Sequence, residues 1–216
     1  MVQAADAYPA VSPDEAAARR DSARLAYAAQ CVGLIAEAKG QGALAVCLGQ
    51  ACLGPYPEDP GLPELSPPMR VLRKAAYENS VVVVAPLKDM TFFVDGQGLV
   101  LGRPGSDRME SLETSLGRIG VVSGHGAREN AAVAALAAGG AQIVFIPGAA
   151  PAGETREAWE ARYPRVAADH KVHIGALNPL GGGRFGASYF CGPTGIRLRN
   201  LSKNPDLVVS DLELPD

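Results

Sequence analysis

The side chains best suited to nucleophilic chemistry are four cysteines, Cys31, Cys47, Cys52 and Cys191. No C-x-x-C pair is present, and three of the four lie in apolar runs, where a free cysteine behaves as a small hydrophobic residue. Cys47 and Cys52 are close in sequence, but no histidine accompanies them, so we expect reduced structural thiols and no metal site. Cys191 stays open as a candidate nucleophile, although structural cysteines are far commoner than catalytic ones.

The tripeptide Ser123-Gly124-His125 places a hydroxyl beside an imidazole, the pairing that activates a serine nucleophile. Its flanks do not form the G-x-S-x-G elbow, and neighbouring residues of a strand point to opposite faces of the sheet. This tripeptide therefore stays a minor alternative for catalysis.

Two other groups of chemistry-bearing residues have structural interpretations. His170 and His173 flank the junction of a predicted helix and strand, where we expect them to cap the helix or to lie at the surface. The glycines at 181–183 are not followed by Gly-Lys-Ser or Gly-Lys-Thr, so they predict a flexible turn rather than a phosphate cradle. We therefore expect no cofactor.

Strand and helix signals alternate along the chain. The first helix has Ser12 as its N-cap, and Gly40 is placed to end it in a left-handed conformation. Alternating units combined with hairpins predict an α/β fold with mixed sheets. Helices are predicted at residues 12–40, 69–78, 127–138 and 154–170. Strands are predicted at residues 43–48, 80–86, 91–95, 99–102, 118–123, 141–146, 172–177, 186–191, 196–200 and 207–212.

Composition and charge restrict the classes of function. The chain has 216 residues, 47% hydrophobic and 20% charged, as in an average globular protein, so a single domain over residues 1–216 is predicted. The net charge of -3 offers no basic patch for nucleic acid or anionic lipid. Residues 1–10 lack a signal-peptide pattern, and no apolar run approaches the ~20 residues of a membrane span, so we expect a cytoplasmic protein.

Several local patterns follow one another along the chain in a specific order. In the first half, an apolar strand at 43–48 leads through Gln50 to a Gly-Pro-Tyr-Pro loop, and the hairpin at 93–102 leads to Ser106. The second half contains five further patterns. They are a strand and elbow at residues 116–128, a supporting strand at 140–147, Trp159, Asn178 and a late hairpin at 188–195. In this order the patterns resemble the nitrilase superfamily of carbon-nitrogen hydrolases.

The resemblance implies a fold and an assembly. It implies a four-layer αββα sandwich, in which two mixed sheets face each other and helices cover both outer faces. Members of the superfamily usually pair through one helical face. The small side chains at 131–138 would let another helix approach closely, so we expect a homo-oligomer, specifically a dimer.

The resemblance also assigns three catalytic positions, and none of them has a catalytic side chain here. Active members use a glutamate as general base, a lysine that stabilises the oxyanion and a cysteine nucleophile. Gln50 stands in the place of the glutamate, Ser106 in that of the lysine and Gly124 in that of the cysteine. A glutamine cannot take up a proton near neutral pH, a serine has no fixed positive charge, and a glycine has no nucleophilic atom. Disabling such a unit costs on the order of 10⁴ to 10⁶ in rate.

The sequence therefore predicts a catalytically inactive nitrilase-like pseudoenzyme that acts as a binding or scaffolding subunit. We expect Gln50, Ser106, His125, Arg128 and Asn178 to line the old pocket. A small amide-like ligand would occupy that pocket, and an active relative would be a candidate protein partner. For Gln50, bonding to buried polar neighbours is the simpler interpretation and ligand binding is the alternative. The rival function is a divergent hydrolase of amide or nitrile C–N bonds that uses relocated residues.

Overall fold

The helices and strands are defined by a computed structural model of the chain. It describes residues 17–49, 52–53, 66–87, 90–103, 111–122, 129–148, 150–178, 180–181, 184–200 and 207–214. The helices are α1 (Ala17–Gly40), α2 (Pro67–Asn79), α3 (Glu129–Ala138), α4 (Arg156–Ala161) and α5 (Pro164–His170). The strands are β1 (Ala45–Cys47), β2 (Val82–Pro86), β3 (Thr91–Val94), β4 (Val100–Gly102), β5 (Ser111–Thr114), β6 (Gly117–Val121), β7 (Ile143–Pro147), β8 (His173–Leu177), β9 (Leu180–Gly181), β10 (Arg184–Phe185) and β11 (Tyr189–Cys191).

Two mixed sheets organise these strands. The first has the order β1-β2-β3-β4, with β1 and β2 parallel and the remaining pairs antiparallel. The second has the order β11-β8-β7-β6-β5, with β6, β7 and β8 parallel and an antiparallel strand at each edge. Strands β9 and β10 form a separate antiparallel pair. The parallel connections carry the helices, as crossovers between parallel strands require.

Three apolar clusters show how the layers stack. In the first, Ile35 of α1 and Leu72 of α2 pack with the first sheet. In the second, Val133 of α3 and Val166 of α5 pack with the second sheet. The third lies between the sheets, where Phe93 of the first sheet shares a cluster with residues of the second. The order of layers is helix, sheet, sheet, helix, which confirms the predicted αββα sandwich.

Strand β2 shows why the buried strands lack the alternation of apolar and polar residues that is typical of half-exposed strands. Val83 and Ala85 belong to the cluster beneath α1 and α2, whereas Val82 and Val84 belong to the cluster between the sheets. Successive side chains of a strand point to opposite faces, and here both faces are covered. The sequence therefore has an unbroken apolar run at β2.

The long helix predicted at 154–170 is wrong, because two short helices occupy that segment. Thr155 caps α4 by accepting a hydrogen bond from the backbone N–H of Ala158 at 3.2 Å. Pro164 then begins α5. A proline has no N–H to donate to the carbonyl four residues earlier, so a continuous helix cannot pass through this position.

The end of α1 and two late segments also differ from the prediction. Gly42, with φ of 91°, takes the left-handed conformation that was expected of Gly40. Residues 196–200 form no strand beyond an isolated bridge between Arg197 and Cys191. Residues 207–214 are buried in part but form none of the named strands. Ser12, the predicted cap of α1, lies outside the described residues.

Three short strands were not predicted. Strand β5 and the pair β9 and β10 are too short to show a pattern of period two in sequence.

Among the described helices, none combines the length and the apolar character that crossing a membrane requires.

The turn between β3 and β4 confirms the predicted hairpin. The Asp95 carboxylate accepts hydrogen bonds from the backbone N–H groups of Gln97 and Leu99 at 2.9 and 2.8 Å. Gly98 has a φ of 75°, and the Arg73 guanidinium donates to its carbonyl at 2.8 Å. A Cβ at residue 98 would lie 2.8 Å from the carbonyl oxygen of Arg73.

We predict that Gly98→Ala destabilises the protein by about 2–4 kcal/mol, because it adds a clash with helix α2 to the strain of a positive φ. Gly153→Ala is the matched control, since Gly153 has a φ of 82° with no atom within 4 Å of the added Cβ. The control should lose only about 1 kcal/mol. Urea unfolding of both variants measures the difference, and equal losses would show that the contact with α2 contributes nothing.

Candidate functional site

The parallel strands of the two sheets run toward the same end of the sandwich. One cavity between the sheets is lined by residues 42–45, which lead into β1, by Leu116, which precedes β6, and by Ile143 at the start of β7. The amino ends of these strands therefore lie together. Their carboxyl ends, and that of β8, lie at the opposite end, where ligands of parallel sheets commonly bind.

The predicted site residues follow these carboxyl ends in sequence. Gln50 comes after β1, Gly124 after β6 and Asn178 directly after β8. Gln50 and Gly124 lie outside the described residues, as do Ser106, His125 and Arg128. The placement of these five residues therefore stays a prediction, and Asn178 is the predicted site residue whose contacts are defined.

Asn178 is completely buried, and its side chain joins two loops. Its Oδ1 atom accepts a hydrogen bond from the backbone N–H of Ala150 at 2.9 Å, and its Nδ2 atom donates to the carbonyl of Gly186 at 2.6 Å. Ser188 adds to this arrangement, because its hydroxyl lies 2.8 Å from the Asn178 backbone nitrogen and 3.1 Å from the Asn178 carbonyl. Asn178 thus fixes the loops after β7 and β10, whereas its predicted part in lining a pocket stays untested.

The loop that Asn178 holds has an unusual backbone. Gly186 and Ala187 have φ angles of 66° and 63°, and a positive φ is costly for alanine. Trp159 of α4 donates from its indole nitrogen to the Ala187 carbonyl at 3.0 Å. Bonds from Asn178 and Trp159 therefore hold two consecutive left-handed residues beside the carboxyl end of β8.

Three aromatic side chains extend this support to β11. Trp159, Tyr163 and Tyr189 pack together, with ring centroids 5.7 to 6.4 Å apart. The Tyr189 hydroxyl donates to the Trp159 carbonyl at 2.9 Å, and the Tyr163 backbone N–H points to the same hydroxyl at 3.4 Å. Burial raises the pKa of Tyr189 well above its ordinary value, so the phenol stays protonated and can keep donating.

Ion pairs hold α4 from the solvent side. The Arg162 guanidinium contacts the Glu154 carboxylate across the helix and stacks over Trp159, 5.9 Å from its ring centroid. Arg156 and Arg197 both contact Glu160. Glu160 is the better shielded partner in each of its pairs, with 20% of its side chain exposed. These ion pairs therefore join the two ends of α4 to each other and join α4 to the segment after β11.

The cysteines are poorly placed for nucleophilic catalysis. All four are buried with free thiols. Burial raises the pKa of Cys31 and Cys191 to about 12, and burial also raises the pKa of Cys47 and Cys52. Cys191 belongs to the cluster between the second sheet and its helices. At neutral pH these groups are thiols rather than thiolates, so the structure gives no support to Cys191 as a relocated nucleophile.

The two histidines near β8 differ in their environments. His170 is exposed in the last turn of α5. His173 is not at the surface, contrary to one of the two expectations, because it is the buried first residue of β8. Its Nε2 atom lies 2.8 Å from the carbonyl of Glu213, and since a carbonyl can only accept, the imidazole donates. The described residues contain no group of three or more ligand side chains that could hold a metal.

Sequence reasoning missed the bonds that shape this end of the sandwich. Trp159 and the hairpin containing Ser188 were noted as patterns, but the hydrogen bonds of Trp159 to Ala187 and of Ser188 to Asn178 were not foreseen. No local signal marks Ala187 as left-handed, because only glycine and occasionally asparagine or aspartate adopt that conformation routinely. The backbone geometry around Ala187 is determined by hydrogen bonds from residues far away in sequence.

The fold is similar to those of solved amidases. The NitN amidase from Nesterenkonia sp. AN1 is 19% identical, with 88% of each chain covered and a TM-score of 0.70. A carbon-nitrogen hydrolase from Helicobacter pylori G27 is 19% identical, with 81% of this chain and 79% of that chain covered and a TM-score of 0.65. A double variant of the Nesterenkonia amidase, with one glutamate changed to glutamine and one cysteine to alanine, was solved in complex with acrylamide. It is 20% identical, with 80% of this chain and 78% of that chain covered and a TM-score of 0.63.

These similarities define the class of fold. The Nesterenkonia amidase is from the nitrilase superfamily, so the chain has the nitrilase-superfamily fold that its sequence patterns predicted. Neither a protein-family model nor a curated protein sequence matches the chain.

We predict that Asn178→Ala lowers the free energy of unfolding by about 2–4 kcal/mol, because the Ala150 N–H and the Gly186 carbonyl both lose their partner. Asn79→Ala is the control, since Asn79 makes a single bond to the Ala75 carbonyl at a helix end. The control should lose about 0.5–1.5 kcal/mol. Chemical unfolding measures both losses. A loss for Asn178→Ala no larger than that of the control would contradict the bridging role.

Proposed function

We propose that this protein is a nitrilase-like pseudoenzyme, a binding or scaffolding subunit that does not hydrolyse C–N bonds. The proposal is supported by the residues at the three positions that the resemblance assigns to catalysis, which are Gln50, Ser106 and Gly124, in a chain that has the superfamily fold. Gly124 is the decisive change, because covalent catalysis needs a nucleophilic atom and glycine has none in its side chain.

The state of the thiols supports the absence of catalysis. A divergent hydrolase would need another nucleophile, and a cysteine is the group that could replace the missing one most directly. The four cysteines are buried, and burial raises the pKa of each. Four free thiols also fit a reducing compartment, which supports our assignment of the protein to the cytoplasm.

The proposed ligand is a small amide held in the former catalytic pocket. The double variant of the Nesterenkonia amidase has a glutamine for a glutamate and an alanine for a cysteine, and it was solved with acrylamide bound. Gln50 and Gly124 differ from a catalytic glutamate and cysteine in a similar way, since neither can act as a base or a nucleophile. The lack of these catalytic groups is therefore compatible with the binding of an amide. A carboxamide at residue 50 can donate and accept hydrogen bonds, which suits an amide ligand.

A restored nucleophile tests this assignment. Acrylamide should leave the native protein unmodified, because its thiols are buried, whereas a Gly124→Cys variant should gain one adduct. The matched control is Ser123→Cys, which places a thiol one residue away. Because a bound amide lies close to the reacting sulfur, we expect modification at least about tenfold faster at residue 124 than at residue 123.

Intact-mass spectrometry measures both rates, and peptide mapping places the adduct. Equal rates in the two variants would contradict an amide pocket at residue 124. An adduct on the unaltered native protein would contradict the buried state of the cysteines and would favour the divergent hydrolase.

We also propose that the protein forms a homodimer through α3. Ala131, Ala135 and Ala138 are exposed on this helix, while Val133 and Leu136 pack inward. Small side chains allow two helices to approach closely. An active relative is the alternative partner for the same face.

Light scattering tests the dimer. The protein should have the mass of a dimer at micromolar concentration, and Ala135→Glu should shift it to a monomer, because a buried charge is costly at a close helix contact. Ala36→Glu, at an exposed alanine of α1, should leave the mass unchanged. A monomeric unaltered protein would overturn the proposal.

A further inference from the structure

The sandwich contains a cavity of about 340 Å³ at the amino ends of its parallel strands. The predicted catalytic positions follow the carboxyl ends, so this cavity lies at the opposite end of the molecule. Cavities of this size are typical of small-molecule sites, whereas interior voids larger than a water molecule are few in close-packed proteins.

The cavity has an apolar floor. Phe145 of β7 and Phe190 of β11 line it, with 2% and 4% of their surfaces exposed and their rings packed edge to face at 6.2 Å. Ala45 of β1 forms part of the wall from the first sheet. Ordered water needs two to four polar partners, and this floor has few to offer. The deep part of the cavity therefore suits a hydrocarbon or aromatic group.

The rim of the cavity is polar on one side. Residues 209–212 form that side and include Ser210 and Asp211, and Asp211 is exposed. Asp211 is the charged residue among the described residues that line the cavity. A carboxylate at the mouth of an apolar pocket favours a ligand with a positively charged head and disfavours an anion.

We propose that this cavity is a second binding site, for a small primary amine with an aryl or alkyl body. The body lies against Phe145 and Phe190, and the ammonium group lies at the rim beside Asp211. The site is distinct from the proposed amide pocket, because it lies at the amino ends of the parallel strands, whereas the predicted catalytic positions follow the carboxyl ends in sequence.

The wall that carries Asp211 is fixed at its far end. The imidazole of His173 donates to the Glu213 carbonyl at 2.8 Å, and Leu212 and Leu214 pack against the cluster between the sheets. Val209 is also buried. The rim therefore has a defined position relative to the floor, which a site for one class of ligand requires.

Three probes with the same phenyl group and four-carbon chain test the site: 4-phenylbutylamine, 4-phenylbutanol and 4-phenylbutyrate, each titrated into the protein by calorimetry. The amine should bind with the lowest Kd and the carboxylate with the highest. Asp211→Asn should weaken the amine by about two- to fivefold, as expected for an exposed ion pair, and leave the alcohol unchanged. Asp169→Asn, at an exposed carboxylate of α5 that pairs with Arg165, is the matched control and should change no Kd.

A second variant tests the floor. Ala45→Leu should fill part of the cavity and weaken all three probes at least about tenfold, because the same space cannot hold both side chain and ligand. If this variant does not fold, the Asp211→Asn comparison decides alone.

The proposal is wrong if no probe binds saturably at millimolar concentration, if the carboxylate binds as well as the amine, or if a folded Ala45→Leu variant binds normally. It is also wrong if the cavity seats a second copy of the chain. In that case Leu44→Ser, at the exposed edge of the cavity, would lower the mass measured by light scattering, and Leu99→Ser, at an equally exposed leucine elsewhere, would not.

Discussion

The packing of the two sheets against each other is the contact on which the rest of the structure depends. Phe145 and Phe190 of the second sheet share the cluster between the sheets with Phe93 of the first sheet. Their rings meet edge to face above Gly175, where a Cβ would lie 2.8 Å and 2.9 Å from them. A side chain at residue 175 would therefore force the second sheet apart from its neighbour or displace these rings. Because the packing of the two sheets aligns them, it sets both ends of the sandwich: the carboxyl ends that lead to the predicted catalytic positions and the amino ends that enclose the cavity.

Among the described residues, the loops at the carboxyl end are supported by Asn178, Ser188 and Trp159, which bind backbone groups. These hydrogen bonds need neither a thiol nor a carboxylate. They are therefore compatible with the proposed function, in which the three predicted catalytic positions have Gln50, Ser106 and Gly124.

The four-layer order was predicted through the family resemblance, whereas the residue patterns alone predicted an α/β fold with mixed sheets. The strands themselves were predicted well because both sheets are buried on two faces. Apolar runs such as the one at β2 are unambiguous, and the glycine turn after β3 is set by local chemistry. One error was local, because Pro164 divides the predicted helix and proline is a breaker that the sequence shows. Tertiary contacts decided the other differences: His173 was buried by the segment that contains Glu213, and the left-handed Ala187 depends on Trp159. The three catalytic positions were predicted through a resemblance alone, since no physical pattern in the sequence marks a glycine as standing in the place of a nucleophile.

The measurement that tests the absence of catalysis most directly is ammonia release by the purified protein from aliphatic, aromatic and carbamoyl amides and from nitriles, with and without a thiol-blocking reagent. A protein that has Gly124 in place of the nucleophile, and whose cysteines are all buried, should release no ammonia above the uncatalysed rate from any substrate. Release that the reagent abolishes would contradict the account and would make Cys191 the first residue to replace. Release that the reagent leaves unchanged would contradict it equally and would point to a nucleophile other than cysteine.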